Sequence, residues 1–177
     1  SLDGLEETHD MFRKPGSFRA TLEAIKLIKE SGMWAAVMST VSTLEQTARS
    51  VALQGRYAYV AARYEGLLVF DLTDPTHPRR VGQLGLEGYA EDIAVVGDYA
   101  YVAAEWGGLR IIQISDPAAL TEVASLRSVQ PAMSIQVQDA IAYVACGKQG
   151  LVVVDLAIPT LPIELGRCDL PDIASDV

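Results

Sequence analysis

The stretch YAYVAA, Tyr57–Ala62, recurs letter for letter at Tyr99–Ala104 and returns as IAYVAC at Ile141–Cys146. The register around it is constant: Tyr59, Tyr101 and Tyr143 stand 42 residues apart, as do Gly66, Gly108 and Gly150, and Pro75, Pro117 and Pro159. Val51, Ile93 and Ile135 keep the same step, and Val177 falls on the next member of that series. Self-similarity at a fixed period of this size marks a repeat architecture, in which one supersecondary unit stacks on the next.

Each unit reads as four short strands. In the second they are DIAVV, YAYVAAE, LRIIQI and TEVASL, rich in the Val, Ile, Tyr and Leu of half-buried or buried strands. Gly97 and Asp98 form a two-residue hairpin turn, where glycine supplies the positive φ that strand twist demands, and Gly107 with Gly108 is expected to close the second hairpin the same way. The third turn is SDPAA, matched by TDPTHP and AIPTLP, with proline fixing φ and Asp74 or Asp116 capping. Four antiparallel strands in one such repeat are the size of a β-propeller blade. The predicted fold is therefore mainly β: blades at 44–89, 90–131 and 132–173, and the opening of a fourth at 174–177. Closed propellers use about four to eight blades, so the ring is incomplete. A blade cannot bury both faces alone, and contacts to further neighbouring blades are expected.

The runs GLLVFDLTDP, GLRIIQISDP and GLVVVDLAIP, with AYVA at a constant offset, resemble the LVIVD repeat over roughly residues 46–177. Two departures are local: Gln113 stands where Asp71 and Asp155 stand, and Ile158 replaces the turn aspartate, so neither acid is required in every blade.

The formal net charge is -9, with seventeen acidic against nine basic residues from Leu44 onward, which disfavours a polyanionic partner and leaves a basic one open. Surface acidity is also an ordinary solubility device. Cys146 and Cys168 are the only cysteines, too few for a disulfide framework or a closed cysteine zinc site. Cys146 replaces the alanine of the other copies and is expected to be a small buried hydrophobe. No apolar run reaches the roughly 18 residues of a membrane helix, and no signal peptide opens the chain. It begins with Ser, suggesting that its natural start lies upstream.

The first 43 residues follow another pattern. SLDG reads as a strand end, KPGSFRATLEAIKLIKESG as a helix with Ser17 as N-cap, Phe18, Leu22 and Ile25 on one stripe and Gly32 as the stop, and MWAAVMSTV as a buried strand. Strand, helix and strand predict a βαβ unit with a parallel sheet at residues 1–43. The run SLDG, HD, R and GSF with this helix resembles radical S-adenosylmethionine enzymes of the SPASM-type, peptide-modifying and sulfatase-maturating branch. That resemblance implies that the βαβ unit is a fragment of a partial (β/α) barrel and places Ser1 and Asp3 at an S-adenosylmethionine pocket. Such enzymes hold a [4Fe-4S] cluster on a three-cysteine CxxxCxxC loop, and none exists here, so the chain itself is expected to carry no cofactor or metal; both would belong to a longer parent. His9 with Glu6, Glu7 and Asp10 reads better as a polar loop than as a metal cluster, and His77, between two prolines, as a solvated turn residue.

The variable hairpin tips RYEG, EWGG and GKQG are the better place to look for binding. Tyr64 and Trp106 are the candidate contacts for a protein or peptide partner, exposed aromatics on loops being effective anchors; packing over the adjacent blade is the structural alternative. Tyr57, Tyr59, Tyr99, Tyr101 and Tyr143 are expected to be mostly structural. The sequence supports a non-catalytic binding or scaffolding module; if the propeller stands alone, its resemblance to LVIVD-type propellers implies a cell-surface or secreted setting. The alternative is a central fragment of a cytoplasmic radical enzyme that uses the propeller to recruit substrate. A third reading joins two unrelated segments around Val41–Thr47.

Overall fold

The computed structural model describes residues 48–74, 77–169 and 174–177. The βαβ unit expected at 1–43, with Ser1, Asp3 and His9, lies outside the described residues. Among those described, no helix is long and apolar enough to cross a membrane.

Among the described residues, twelve strands form three four-stranded sheets. The first holds β1 Ser50–Gln54, β2 Tyr57–Ala61, β3 Leu67–Asp71 and β4 Arg79–Leu84; the second β5 Asp92–Val96, β6 Tyr99–Ala103, β7 Leu109–Gln113 and β8 Thr121–Leu126. The third holds β9 Ser134–Gln138, β10 Ile141–Ala145, β11 Leu151–Asp155 and β12 Ile163–Cys168. Every sheet is an antiparallel meander in sequence order, with the register of the sequence repeat: Tyr59 pairs with Val69, Tyr101 with Ile111 and Tyr143 with Val153. The last hairpin of each sheet carries a bulge at the same place, after Val69, Ile111 and Val153, which bends and twists the outer strand. The first strands β1, β5 and β9 lie side by side, forming the inner edge of an arc of blades.

Burial explains the repeated hexapeptide. Tyr59, Ala61, Leu67 and Val69 of the first blade pack against Ala100, Val102 and Ile112 of the second. In the same way Tyr101, Ala103, Leu109 and Ile111 meet Ala142, Val144, Val152 and Val154 of the third. A middle blade is covered on both faces, so its inner strands are continuously apolar rather than alternating. Each fully buried Val, Leu, Ile or Phe contributes about 1.5–3 kcal/mol relative to exposure. The other face of the first blade is also buried: Ala58, Val60, Leu68 and Phe70 form a third cluster, with Ala48 and Leu72 against it. Cys146 is fully buried, as its replacement of alanine predicts.

Two expectations need correction. Gly108 is the left-handed turn glycine, at φ 78°, whereas Gly107 is not; the second left-handed residue of that hairpin is Glu105, at φ 46°. Tyr59 and Tyr101 are 3% and 4% exposed, but Tyr143 is 38% exposed because no described strand covers its face of the third blade. The outer turns show how the acid replacements are tolerated. Asp71 accepts the Thr73 amide at 2.8 Å and Asp155 the Ala157 amide at 2.8 Å, while in the second blade Asp116 does this for Ala118 at 2.9 Å. Gln113 and Ile158 therefore each stand in a turn that another aspartate holds.

Candidate binding site at the junction of the first two blades

The end of an antiparallel meander where its first strand begins is also where its second hairpin turns and its fourth strand ends. The hairpins at 62–66, 104–108 and 146–150 thus share one face with the connections between blades. A backbone clasp recurs there. Arg63 and Ala90 exchange hydrogen bonds at 3.0 and 3.2 Å, Glu105 and Ala132 at 2.8 and 2.9 Å, and Gly147 and Ala174 at 2.8 and 3.0 Å. The hairpin member is left-handed each time, at φ 37°, 46° and 58°. That conformation costs a non-glycine residue about 1–2 kcal/mol, which the paired bonds offset at Arg63 and Glu105.

Between the first two blades the connection 85–89 is pressed onto the hairpin of the second. A Cβ on Gly88 would lie 2.0 Å from Ala104 O, and one on Gly107 would lie 1.9 Å from Glu87 O, so both positions exclude a side chain. Glu87 is also held by side chains. Arg110, 3% exposed, bonds Glu87 Oε2 at 3.1 Å, Glu122 Oε1 at 3.0 Å and the Gly107 carbonyl at 3.0 Å; Arg127 bonds Glu87 too. A buried guanidinium is tolerable when its donors are satisfied in this way. In register with Arg110 stand Leu68 and Val152, so this cation serves the local loop and not the repeat.

The anchored loop places Tyr89 between the two tips. Its ring meets Tyr64 edge-on at 4.6 Å between centroids and Trp106 at 6.2 Å, both within the range of favourable T-shaped pairs. Arg63 lies over the Tyr64 and Tyr89 rings, 5.5 Å from each centroid. Behind it, Glu91, 9% exposed, accepts a hydrogen bond from Arg49 Nε at 2.6 Å and is in ionic contact with Arg63 Nε at 3.2 Å, off hydrogen-bond alignment. Tyr64 is 65% exposed and Trp106 49%. Glu105 Oε2 is buried without a hydrogen-bond partner among the described residues.

The two aromatics picked from the sequence thus share one cluster, and each packs on Tyr89 of the connection between the blades. Sequence reasoning missed Tyr89, Glu91 and Arg110. Arg110 had a legible signal, a charge at a register position that is otherwise Leu or Val. Tyr89 had only its place beside Gly88, since its register mate Pro131 is unlike it. His77 lies on an exposed turn with Nδ1 3.1 Å from Asp74 Oδ2, as a solvated residue should.

The residues present do not fit an iron–sulfur cluster. The Cys146 thiol is buried, donates to the Val144 carbonyl at 3.5 Å and is pushed up to about 11 by burial, while Cys168 is exposed on another strand. Among the described residues no group of three or more His, Cys, Asp or Glu side chains is placed to hold a metal.

The LVIVD repeat family model matches residues 46–84, 87–127 and 131–170. No curated protein matches the chain. Many solved structures share its fold, two designed proteins among them. The computationally designed Ika8 protein is 13% identical with a TM-score of 0.53, covering 72% of this chain and 37% of that one. The computationally designed Ika4 protein is 12% identical with a TM-score of 0.56, covering 74% of this chain and 76% of that one.

Proposed function

The chain belongs to the LVIVD repeat family, its three matched units following the three sheets, and on that premise we propose that it is a non-catalytic binding module that takes a basic polypeptide segment on the Tyr64–Tyr89–Trp106 face. The observation that carries this reading is the aromatic cluster itself: three rings from two blades, two of them largely exposed, held by a clasped and ion-paired loop. Rigid amphipathic rings on an ordered scaffold give contact area at low entropic cost. Two features favour a cationic side chain. The blades are acidic, and Arg63 already stacks on two of the rings. Guanidinium over an aromatic face contributes about 0.5–2 kcal/mol.

Calorimetric titration with an arginine-containing peptide, its glutamate counterpart and a neutral peptide tests the reading. The arginine peptide is expected to bind best, and Tyr64→Ala and Trp106→Ala each to weaken it by about tenfold or more, with stability lowered by no more than about 0.5–1.5 kcal/mol, the worth of the lost ring pair. Equal affinity for the acidic peptide, or no effect of either substitution, would sink it. The resemblance of residues 1–43 to radical S-adenosylmethionine enzymes gives this surface a second use, as the substrate-recruiting appendage of a longer enzyme; that use rests on the motifs of that segment alone.

A further inference from the structure

On the reading that this surface takes a basic segment, we infer that its cation subsite is the space over the Tyr64 and Tyr89 rings, that Arg63 fills this space from within, and that an entering cation displaces Arg63 onto Glu91. The clasp does not need an arginine, since Glu105 and Gly147 make the same backbone exchange in register with Arg63. Further along the chain Glu105 with Met133, and Gly147 with Ser175, stand where Arg63 and Glu91 stand, so the Arg–Glu pair belongs to this surface alone. The Arg63 guanidinium carbon lies 5.5 Å from both ring centroids, within the roughly 6 Å over which an aromatic face attracts a cation. The rings meet at 65°, so a single flat cation reaches both.

Arg63 is poorly held where it lies. Its Nε is buried and has no hydrogen-bond partner among the described residues, which is costly for a charged donor. Glu91 Oε1 is 3.2 Å from that nitrogen but off hydrogen-bond alignment. The other carboxylate oxygen accepts from Arg49 Nε at 2.6 Å, and the Glu91 amide donates to Ala103 O at 2.8 Å, so Glu91 is a fixed acceptor. Stacking on the rings and an aligned bond to Glu91 thus compete for one guanidinium, whose side chain is 33% exposed. A partner's cation takes the ring faces, and the released Arg63 gains the charge-assisted bond it lacked. Until then the subsite is open only in the fraction of molecules in which Arg63 has turned, and the apparent affinity is lower by that fraction.

Arg63→Gly empties the subsite and keeps the clasp, because Gly147 holds the same left-handed position at φ 58°. Titrated calorimetrically with the arginine-containing peptide, this variant should bind about threefold or more tighter than the parent chain. Arg56→Gln removes the same charge from the turn at the opposite end of the first sheet, and should change the affinity by less than about twofold. In the parent chain the Nε–H resonance of Arg63, assigned by its loss in Arg63→Gly, should move downfield and exchange more slowly with solvent once peptide is added. The inference is overturned if Arg63→Gly binds no tighter than the parent, if Arg56→Gln gains as much, or if the Arg63 resonance stays in place while peptide binds. In each of those cases the surface still takes the peptide, and the binding reading stands. No binding by either the parent or Arg63→Gly sinks that reading and this inference together, whereas binding by Arg63→Gly alone supports both.

Discussion

The junction between the first and second blades and the junction between the second and third share a backbone and differ in nearly everything attached to it. Both have the left-handed clasp, the buried tyrosine on the second strand and the apolar interface. At the first, the clasp residue is Arg63, the tip is Tyr64, the connection delivers Tyr89, and Glu91 pairs with two arginines. At the second, Glu105, Trp106, Pro131 and Met133 stand at those positions, and the polar staple lies elsewhere, through Ser128, Glu164 and Arg167. Repeated positions carry the geometry and variable positions carry the chemistry, so a stability experiment should find the junctions alike where a binding experiment finds them different.

The largest test of that likeness is in the core. Leu67 and Leu109 are both 0% exposed and occupy the same register position. Leu67→Ala and Leu109→Ala are each expected to destabilise by about 2–5 kcal/mol, through lost burial and a residual cavity. At the open face, Leu151→Ala should cost only about 1 kcal/mol, since part of that side chain is already in water. Urea denaturation of the three variants measures this. A Leu151 effect equal to that of Leu109 would mean that the third face is as well packed as the inner junctions.

A smaller effect distinguishes the hairpin tips. Gly107 has Glu65 and Gln149 as its register mates, so the hairpin itself does not demand glycine there. What demands it is the connection 85–89 lying on the tip, with Glu87 O where a Cβ would go. Gly107→Ala is expected to cost about 1–3 kcal/mol as the loop is pushed off, whereas Gln149→Ala should stay within about 0.5 kcal/mol. Because the displaced loop carries Tyr89, hydrogen exchange in residues 85–90 should rise in the first variant alone. A neutral Gly107→Ala would show that the loop is not anchored by this contact.

The blades were legible because period and residue type agree. The TEVASL strand matches β8, Thr121–Leu126, and Asp116 caps the turn it was expected to cap. Tyr64 and Trp106 were legible as a pair because variation against a constant background shows in the sequence. Their convergence was not, since Tyr89 reaches them through a backbone approach of Gly88 to Gly107 and a buried Arg110, contacts between segments that no local pattern records. Tyr143 reads like its two counterparts, and its exposure follows from what lies against its face rather than from its own strand. Gly107 misled for a related reason: a glycine forced by a neighbour's carbonyl looks the same in sequence as one forced by its own φ.

The smallest expected effect is confined to the second junction. Glu164 receives a 2.6 Å hydrogen bond from Arg167 Nη2 and a 2.8 Å bond from Ser128 across the blade boundary. At the first junction the corresponding pair is Leu86 and Glu122, and Leu86 has no side-chain donor. The Arg167 hydrogen bond, with Ser128 adding to it against partial burial, holds the Glu164 carboxyl below its ordinary range. A carboxyl with a lower pKa in the folded than in the unfolded chain stabilises the fold above its unfolded value, about 4.3, and loses that contribution as pH falls through the lower folded value. The pair is largely at the surface, so the contribution is less than about 1 kcal/mol and shrinks with salt. Comparing Glu164→Gln with the parent chain in urea titrations at pH 7 and near pH 3 isolates it: the variant should be slightly less stable at pH 7, with the gap closing in acid. A gap that persists at low pH would mean that Glu164 works through its packing and its bond to Ser128 rather than through its charge.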